Sequence, residues 1–82
     1  MNKILKFEAD WCNPCKKLTI ELEGLDFPID RINVESSPEL TNKYMIRSVP
    51  TLVFIKDNEE VDRITGFVSK DKVENTISNI YG

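Results

Sequence analysis

The sequence predicts an α/β fold: a mixed four-stranded sheet with helices on both faces, in the order β-α-β-α-β-β-α. Three observations predict it. Residues 3–8 alternate as a strand does and run straight into a helix start. A second strand pattern follows that helix, so the two strands need a crossover and pair in parallel. Two further strand patterns flank Asp57-Asn58, a tight-turn pair, and form an antiparallel hairpin.

Each element has its own signal. In the first strand, KILKFE and the alanine after it, Leu5, Phe7 and Ala9 fall on one face, and Ile4, Lys6 and Glu8 on the other. Pro14 suits the first turn of a helix, where its missing N–H costs nothing. Leu18, Leu22 and Leu25 make one apolar stripe, and Gly24 is placed to stop the helix. FPIDRINV, residues 27–34, reads as the second strand. Ser37 is the N-cap of a short helix, with Pro38 at its first position and Glu39 favoured by the helix dipole. Leu40 and Tyr44 lie four apart on it. TLVFIK, residues 51–56, is the third strand, and Val61 to Thr65 is the return strand, ended by Gly66. Ser69 caps the last helix, which carries Val73, Ile77 and Ile80 on one stripe.

With 82 residues, the chain is expected to form one domain over residues 1–82. That length holds one core and leaves no room for a separate recognition domain. Hydrophobic residues are 40% and charged residues 30%, an ordinary globular balance. A net charge of −3 without a basic cluster argues against nucleic acid as a partner. The longest apolar run, Leu52 to Ile55, is far too short to cross a membrane. The first residues carry too short an apolar stretch for a signal peptide, and Lys6 interrupts it. The expectation is a cytoplasmic protein. Repeats, low-complexity tracts and linkers are absent from the sequence.

Both cysteines lie in ADWCNPCKK, residues 9–17. Two are few for a disulfide scaffold, which usually carries four to eight. A thiol at a helix N-terminus sits among unpaired N–H groups at the positive end of the helix dipole. Its thiolate is stabilised and its pKa falls below the free value of about 8.5. Cys12 stands at that end, and Cys15 lies one turn further on the same side. The arrangement suits thiol–disulfide exchange, with Pro14 stiffening the turn. A permanent clasp closing so short a loop would contribute only about 2 kcal/mol in the chain-entropy model. A zinc site usually takes four ligands, and the chain has no histidine and no second cysteine pair. Only a dimer sharing one metal between two such pairs could supply them.

A CxxC at a strand-to-helix junction in a βαβ context is a specific signal. Trp11-Cys12-Asn13-Pro14-Cys15-Lys16 resembles the WCGPCK site of the thioredoxin family, with Asn13 in place of glycine. Residues 43–52, KYMIRSVPTL, resemble the family's stretch ending in its cis-proline, and Gly66 with Ser69-Lys70 resembles a third segment. The resemblance runs from Lys3 onward and is to the short members, which lack the N-terminal strand and helix of full-length thioredoxins. It implies strand order 2-1-3-4. It implies that Cys12 is an exposed nucleophile, that Cys15 is a buried resolving thiol, and that Asn13 and Pro14 form the active-site turn. Pro50 would be the cis-proline against the pair, and Val49 would offer its backbone to an extended substrate segment. Trp11, Gly66 and Phe67 would help form an apolar rim for partner proteins. The implied activity is that of a monomeric protein disulfide oxidoreductase with no cofactor beyond the cysteine pair and no metal. Disulfide-containing proteins would be its substrates and a thioredoxin reductase-like enzyme its electron donor.

The chain departs from the family at several positions. Ile20 stands where the family often has a kinking proline, so a straighter first helix is expected. Lys6 occupies the place of the family's buried carboxylate, and Arg31 that of its lysine partner. Lys6 is expected behind Cys15, at the foot of the cysteine helix, as a group tuning the thiol pKa. It could instead be a solvated strand lysine, or a neutral general base if burial strips its charge. Arg31 would push toward the neutral form unless Glu8 or Asp30 compensates. The charged form is expected, because so thin a chain rarely dehydrates a lysine fully. Two rival functions are a glutathione-fed, glutaredoxin-like reductase and a binding module that uses the fold without turnover. The Cys-Pro-aromatic-Cys site and paired glycines of the former are absent.

Overall fold

A computed structural model describes all 82 residues. Strands β1 (Lys3–Glu8), β2 (Ile29–Asn33), β3 (Thr51–Lys56) and β4 (Glu59–Thr65) and helices α1 (Asn13–Glu21), α2 (Pro38–Lys43) and α3 (Lys70–Tyr81) follow in the order β1-α1-β2-α2-β3-β4-α3. The four strands form one sheet in the order β2-β1-β3-β4, the order the resemblance implies. β1 pairs with β2 in parallel and with β3 antiparallel, and β3 pairs antiparallel with β4.

Both faces of the sheet are covered, which explains the continuous apolar run of β3. On one face Ile4, Leu52 and Phe54 pack against Leu18 and Leu22 of α1 and Val73 of α3. On the other, Leu5, Phe7, Ile32, Val53 and Ile55 pack against Tyr44 and Ile46, at and beyond the end of α2. The rings of Phe7 and Tyr44 lie 5.9 Å apart.

The elements start and stop for local reasons. β2 begins at Ile29 rather than at Phe27, because Pro28 has no N–H to give to a ladder. The Pro28 carbonyl instead accepts from the Ile4 N–H at 2.9 Å. Val34 lies past β2, yet its N–H still donates to the Glu8 carbonyl at 2.9 Å. β4 starts two residues earlier than its apolar pattern suggests, since Glu59 pairs with Lys56 directly across the turn. Asp57 and Asn58 both have positive φ, 53° and 71°, the two-residue turn whose twist matches a hairpin. α1 runs through Ile20 without a break and ends at Glu21, with Gly24 beyond it at φ 79°.

Two side chains fix the helices that carry or back the site. Glu21 Oε2 accepts the Lys70 N–H at 2.7 Å, so the end of α1 caps the start of α3. The Tyr81 hydroxyl donates to the Ile55 carbonyl at 2.6 Å and ties α3 to β3. Burial pushes the Tyr81 hydroxyl pKa upward.

Candidate functional site

The site forms where β1 ends and α1 begins. The chain leaves the sheet at Ala9 and turns, and Cys12 becomes the N-cap of α1 with Pro14 in the first turn. The Cys12 Sγ accepts the Cys15 N–H at 3.2 Å, so one sulfur takes up an otherwise unpaired helix donor. Cys12 and Cys15 are joined as a disulfide, with Cα atoms 5.2 Å apart. They form a small cluster with Ala9, against which Val34 and Val49 pack.

The resemblance implies an exposed Cys12, and here the structure differs. Cys12 is 4% exposed and Cys15 2%. The Cys12 sulfur is bonded to Cys15 Sγ and accepts a helix N–H, and Val49 packs against the pair. Asn13 and Pro14 are both exposed on the turn.

The loop before β3 supplies the facing wall. The Val49–Pro50 peptide bond is cis. The Pro50 carbonyl accepts the Gly66 N–H at 2.7 Å, and Gly66 has φ 91°, a conformation suited to glycine. A shallow cavity of about 180 Å³ lies beside the cysteines, lined by Trp11, Val34, Ile46, Arg47 and Val49 among others. Trp11 is 66% exposed, and its indole N–H donates to Glu35 Oε2 at 3.2 Å. Phe67 is half exposed and joins none of the apolar clusters. Val49 packs against the cysteine cluster and shares the cavity with Trp11, the Gly66 N–H joins that residue to Pro50, and Phe67 is exposed.

Behind Cys15 lies a charged cluster. Lys6 is 2% exposed, so its ammonium does not reach solvent as a solvated strand lysine would. It donates to the Glu8 carboxylate, to Thr19 Oγ1 at 2.7 Å and toward the Cys15 carbonyl at 3.4 Å. Thr19 in turn donates to the same carbonyl at 3.1 Å. Arg31 Nη2 lies 2.9 Å from the other Glu8 oxygen. Of the two carboxylates that could compensate Arg31, Glu8 does so, while Asp30 pairs with Lys3. Burial alone would push the Glu8 pKa up, but the hydrogen bonds from Arg31 and Lys6 outweigh it and hold it below the usual carboxylate value. The Glu8 carboxylate raises the Arg31 pKa by hydrogen bonding.

Thr19 has no role in the sequence reading, and Glu8 has only that of one of two carboxylates able to compensate Arg31. A signal for Glu8 was present, since it shares a strand face with Lys6 two residues away. Glu35, the partner of Trp11, had none.

The Thioredoxin family model matches residues 1–79. The chain belongs to the thioredoxin family. It is 40% identical over 80 residues to a thioredoxin of Chlamydia trachomatis, covering 92% of this chain and 78% of the relative. With a thioredoxin of Chlamydia caviae it shares 37% identity over 75 residues, 85% of this chain and 74% of the relative. Among solved structures, a mutant thioredoxin from Halobacterium salinarum superposes with a TM-score of 0.90 at 30% identity, over 99% of this chain and 75% of that one. Fasciola hepatica thioredoxin gives 0.85 at 32% identity, over 95% and 79%. As a thioredoxin with Cys12 and Cys15 at disulfide distance, the protein is a thiol–disulfide oxidoreductase that works by dithiol–disulfide exchange. No group of three or more His, Cys, Asp or Glu side chains is arranged to hold a metal ion, and no helix is long and apolar enough to cross a membrane.

Proposed function

We propose that the protein reduces disulfides in other proteins, with Cys12 as nucleophile and Cys15 as resolving thiol. The observation that carries this division of roles is the Cys12 Sγ at the N-terminus of α1, accepting a helix N–H. That donor and the helix dipole favour a thiolate at Cys12. The Cys12 thiolate attacks one sulfur of the substrate disulfide and forms a mixed disulfide, and the other substrate sulfur leaves as a thiolate. Cys15 loses its proton and attacks the Cys12 Sγ. The Cys12–Cys15 bond forms, the mixed disulfide breaks, and the second substrate thiolate leaves. Two electrons have passed to the substrate.

An extended substrate segment lies along Val49, whose backbone pairs with it, and a large apolar side chain enters the cavity between Trp11, Ile46 and Val49. Gly66 and Phe67 extend this rim, Asn13 and Pro14 hold the turn, and no cofactor takes part. The electron donor is a thioredoxin reductase-like enzyme, and the protein acts as a monomer in a reducing compartment, the cytoplasm. The support for that compartment is that the chain's only two cysteines are both committed to the redox pair. Reduction by a thioredoxin reductase rather than by glutathione distinguishes this donor from a glutaredoxin-like one.

The roles are tested by trapping. Cys15→Ser should accumulate a mixed disulfide with a protein substrate through Cys12, identified by mass spectrometry, and Cys12→Ser should trap nothing and reduce nothing. Trapping through Cys15 in Cys12→Ser would reverse the assignment.

A further inference from the structure

The exchange just described leaves one buried titratable group unused, the ammonium of Lys6. Its surroundings are fully specified. From its own strand comes the Glu8 carboxylate, from β2 the Arg31 guanidinium on that same carboxylate, and from α1 the Thr19 hydroxyl and the Cys15 carbonyl. From β3 its register partner is Leu52, which brings no charge. Lys16 and Asp10, together with Glu8, Arg31 and Cys15, line an open cavity of about 500 Å³ on the outer side of the cluster. Lys6, Glu8 and Arg31 together carry one net positive charge, and its most deeply buried member lies under the first turn of α1.

We propose that Lys6 is a positioning residue for the redox equilibrium: its ammonium, held under Cys15 by Glu8 and Thr19, favours the dithiol form of the Cys12–Cys15 pair over the disulfide. The inference rests on Cys12–Cys15 being a working redox couple. A disulfide is uncharged, whereas its reduced form ionises to a thiolate, which the helix N-terminus favours at Cys12. A fixed positive charge beside the pair therefore stabilises the reduced side selectively. Glu8 works in the opposite sense, because it offsets part of that charge while keeping the ammonium in place. The pair is thus set by two opposed groups of the same strand.

The balanced reaction is an exchange with a reference couple. Two molecules of glutathione give up two electrons and form glutathione disulfide, the Cys12–Cys15 bond breaks, and the two cysteines take up the protons less any that the thiolate sheds. A unit charge about 6 Å from a thiolate at an effective dielectric near 20 alters its ionisation by at most about a hundredfold. Solvent access through the adjoining open cavity lowers this to an effect on the order of tenfold.

The test equilibrates wild type, Lys6→Met and Glu8→Gln with mixtures of reduced and oxidised glutathione at about pH 7. Alkylation and mass measurement then count free thiols, and the pH profile of iodoacetamide alkylation is recorded beside it. Lys6→Met should shift the equilibrium about tenfold toward the disulfide, equivalent to about 30 mV more reducing. It should also move the alkylation profile to higher pH. Glu8→Gln should shift both readings the other way. Should Lys6→Met not fold, Lys6→Gln, which keeps a donor for Thr19, carries the same comparison. A Lys6 variant within twofold of wild type in both readings overturns the proposal. So does a shift of both variants in the same direction, which a merely structural role of the ion pair would produce. Wild type that equilibrates neither with glutathione nor with dithiothreitol would instead contradict the redox couple on which the proposal rests.

Discussion

The ammonium of Lys6 is paired with the carboxylate of Glu8, two positions along the same strand and on the same face of the sheet. Both Glu8 oxygens also accept from Arg31, so one carboxylate joins β1 to β2. The ionised form of Glu8 is favoured in the folded chain, and its pKa lies below the ordinary 4.5. A depressed carboxylate pKa contributes stability that is present above the unfolded value and is lost as pH falls through the folded one. Wild type should therefore lose stability as pH falls through and below 4.5, and Glu8→Gln should lose less over the same range. Urea unfolding at several pH values reads this. An equal slope in both proteins would show that the pair contributes nothing to the acid limb.

The contact between Glu21 and the Lys70 N–H makes a second prediction. α3 has its own N-cap, Ser69 Oγ, which accepts from the Lys72 N–H at 3.2 Å. Glu21 satisfies a different orphan donor of the same helix from another element. Glu21→Ala should cost about 1 kcal/mol, the usual worth of a cap. Glu21→Gln should keep most of it, since an amide oxygen can still accept. Denaturant midpoints of the three proteins separate the outcomes, and equal loss in both variants would assign the effect to charge.

Met45 has φ 53° just past the end of α2. The Met45 and Ile46 N–H groups close back on the Asn42 and Thr41 carbonyls, the paired bonds of a helix stop that usually carries glycine. The methionine side chain is 66% exposed and loses little packing if removed. Met45→Gly should therefore raise stability by about 0.5–1 kcal/mol, by removing the left-handed strain of a side-chain residue. A lower denaturant midpoint for the variant would contradict this.

Much of this was legible in the sequence, for identifiable reasons. β3 spans the same residues in both, because an uninterrupted apolar run bounded by Pro50 and the Asp57-Asn58 turn has sharp edges. The cysteine pair was legible because its spacing, helix start and strand context are all local. The ends of β2 were not, since Phe27 is apolar like a strand residue while Pro28 lacks the N–H that pairing requires. The burial of Lys6 was also out of reach. Whether Glu8 or Asp30 takes up the neighbouring cations depends on which lysine each one reaches, and Thr19 completes the pocket from thirteen positions away. The low exposure of Cys12 was not legible either, because Val34 and Val49, which pack against the pair, come from distant parts of the chain.

Cys12 and Cys15 form a reversible two-electron couple in the folded protein. Trp11, the only tryptophan, adjoins the pair and reports on it. Its fluorescence should follow a single two-electron transition as the protein is titrated with mixtures of reduced and oxidised dithiol, identical in both directions and absent in Cys15→Ser. A disulfide that stays closed across the titration and opens only in denaturant would make the bridge a permanent clasp and contradict the account.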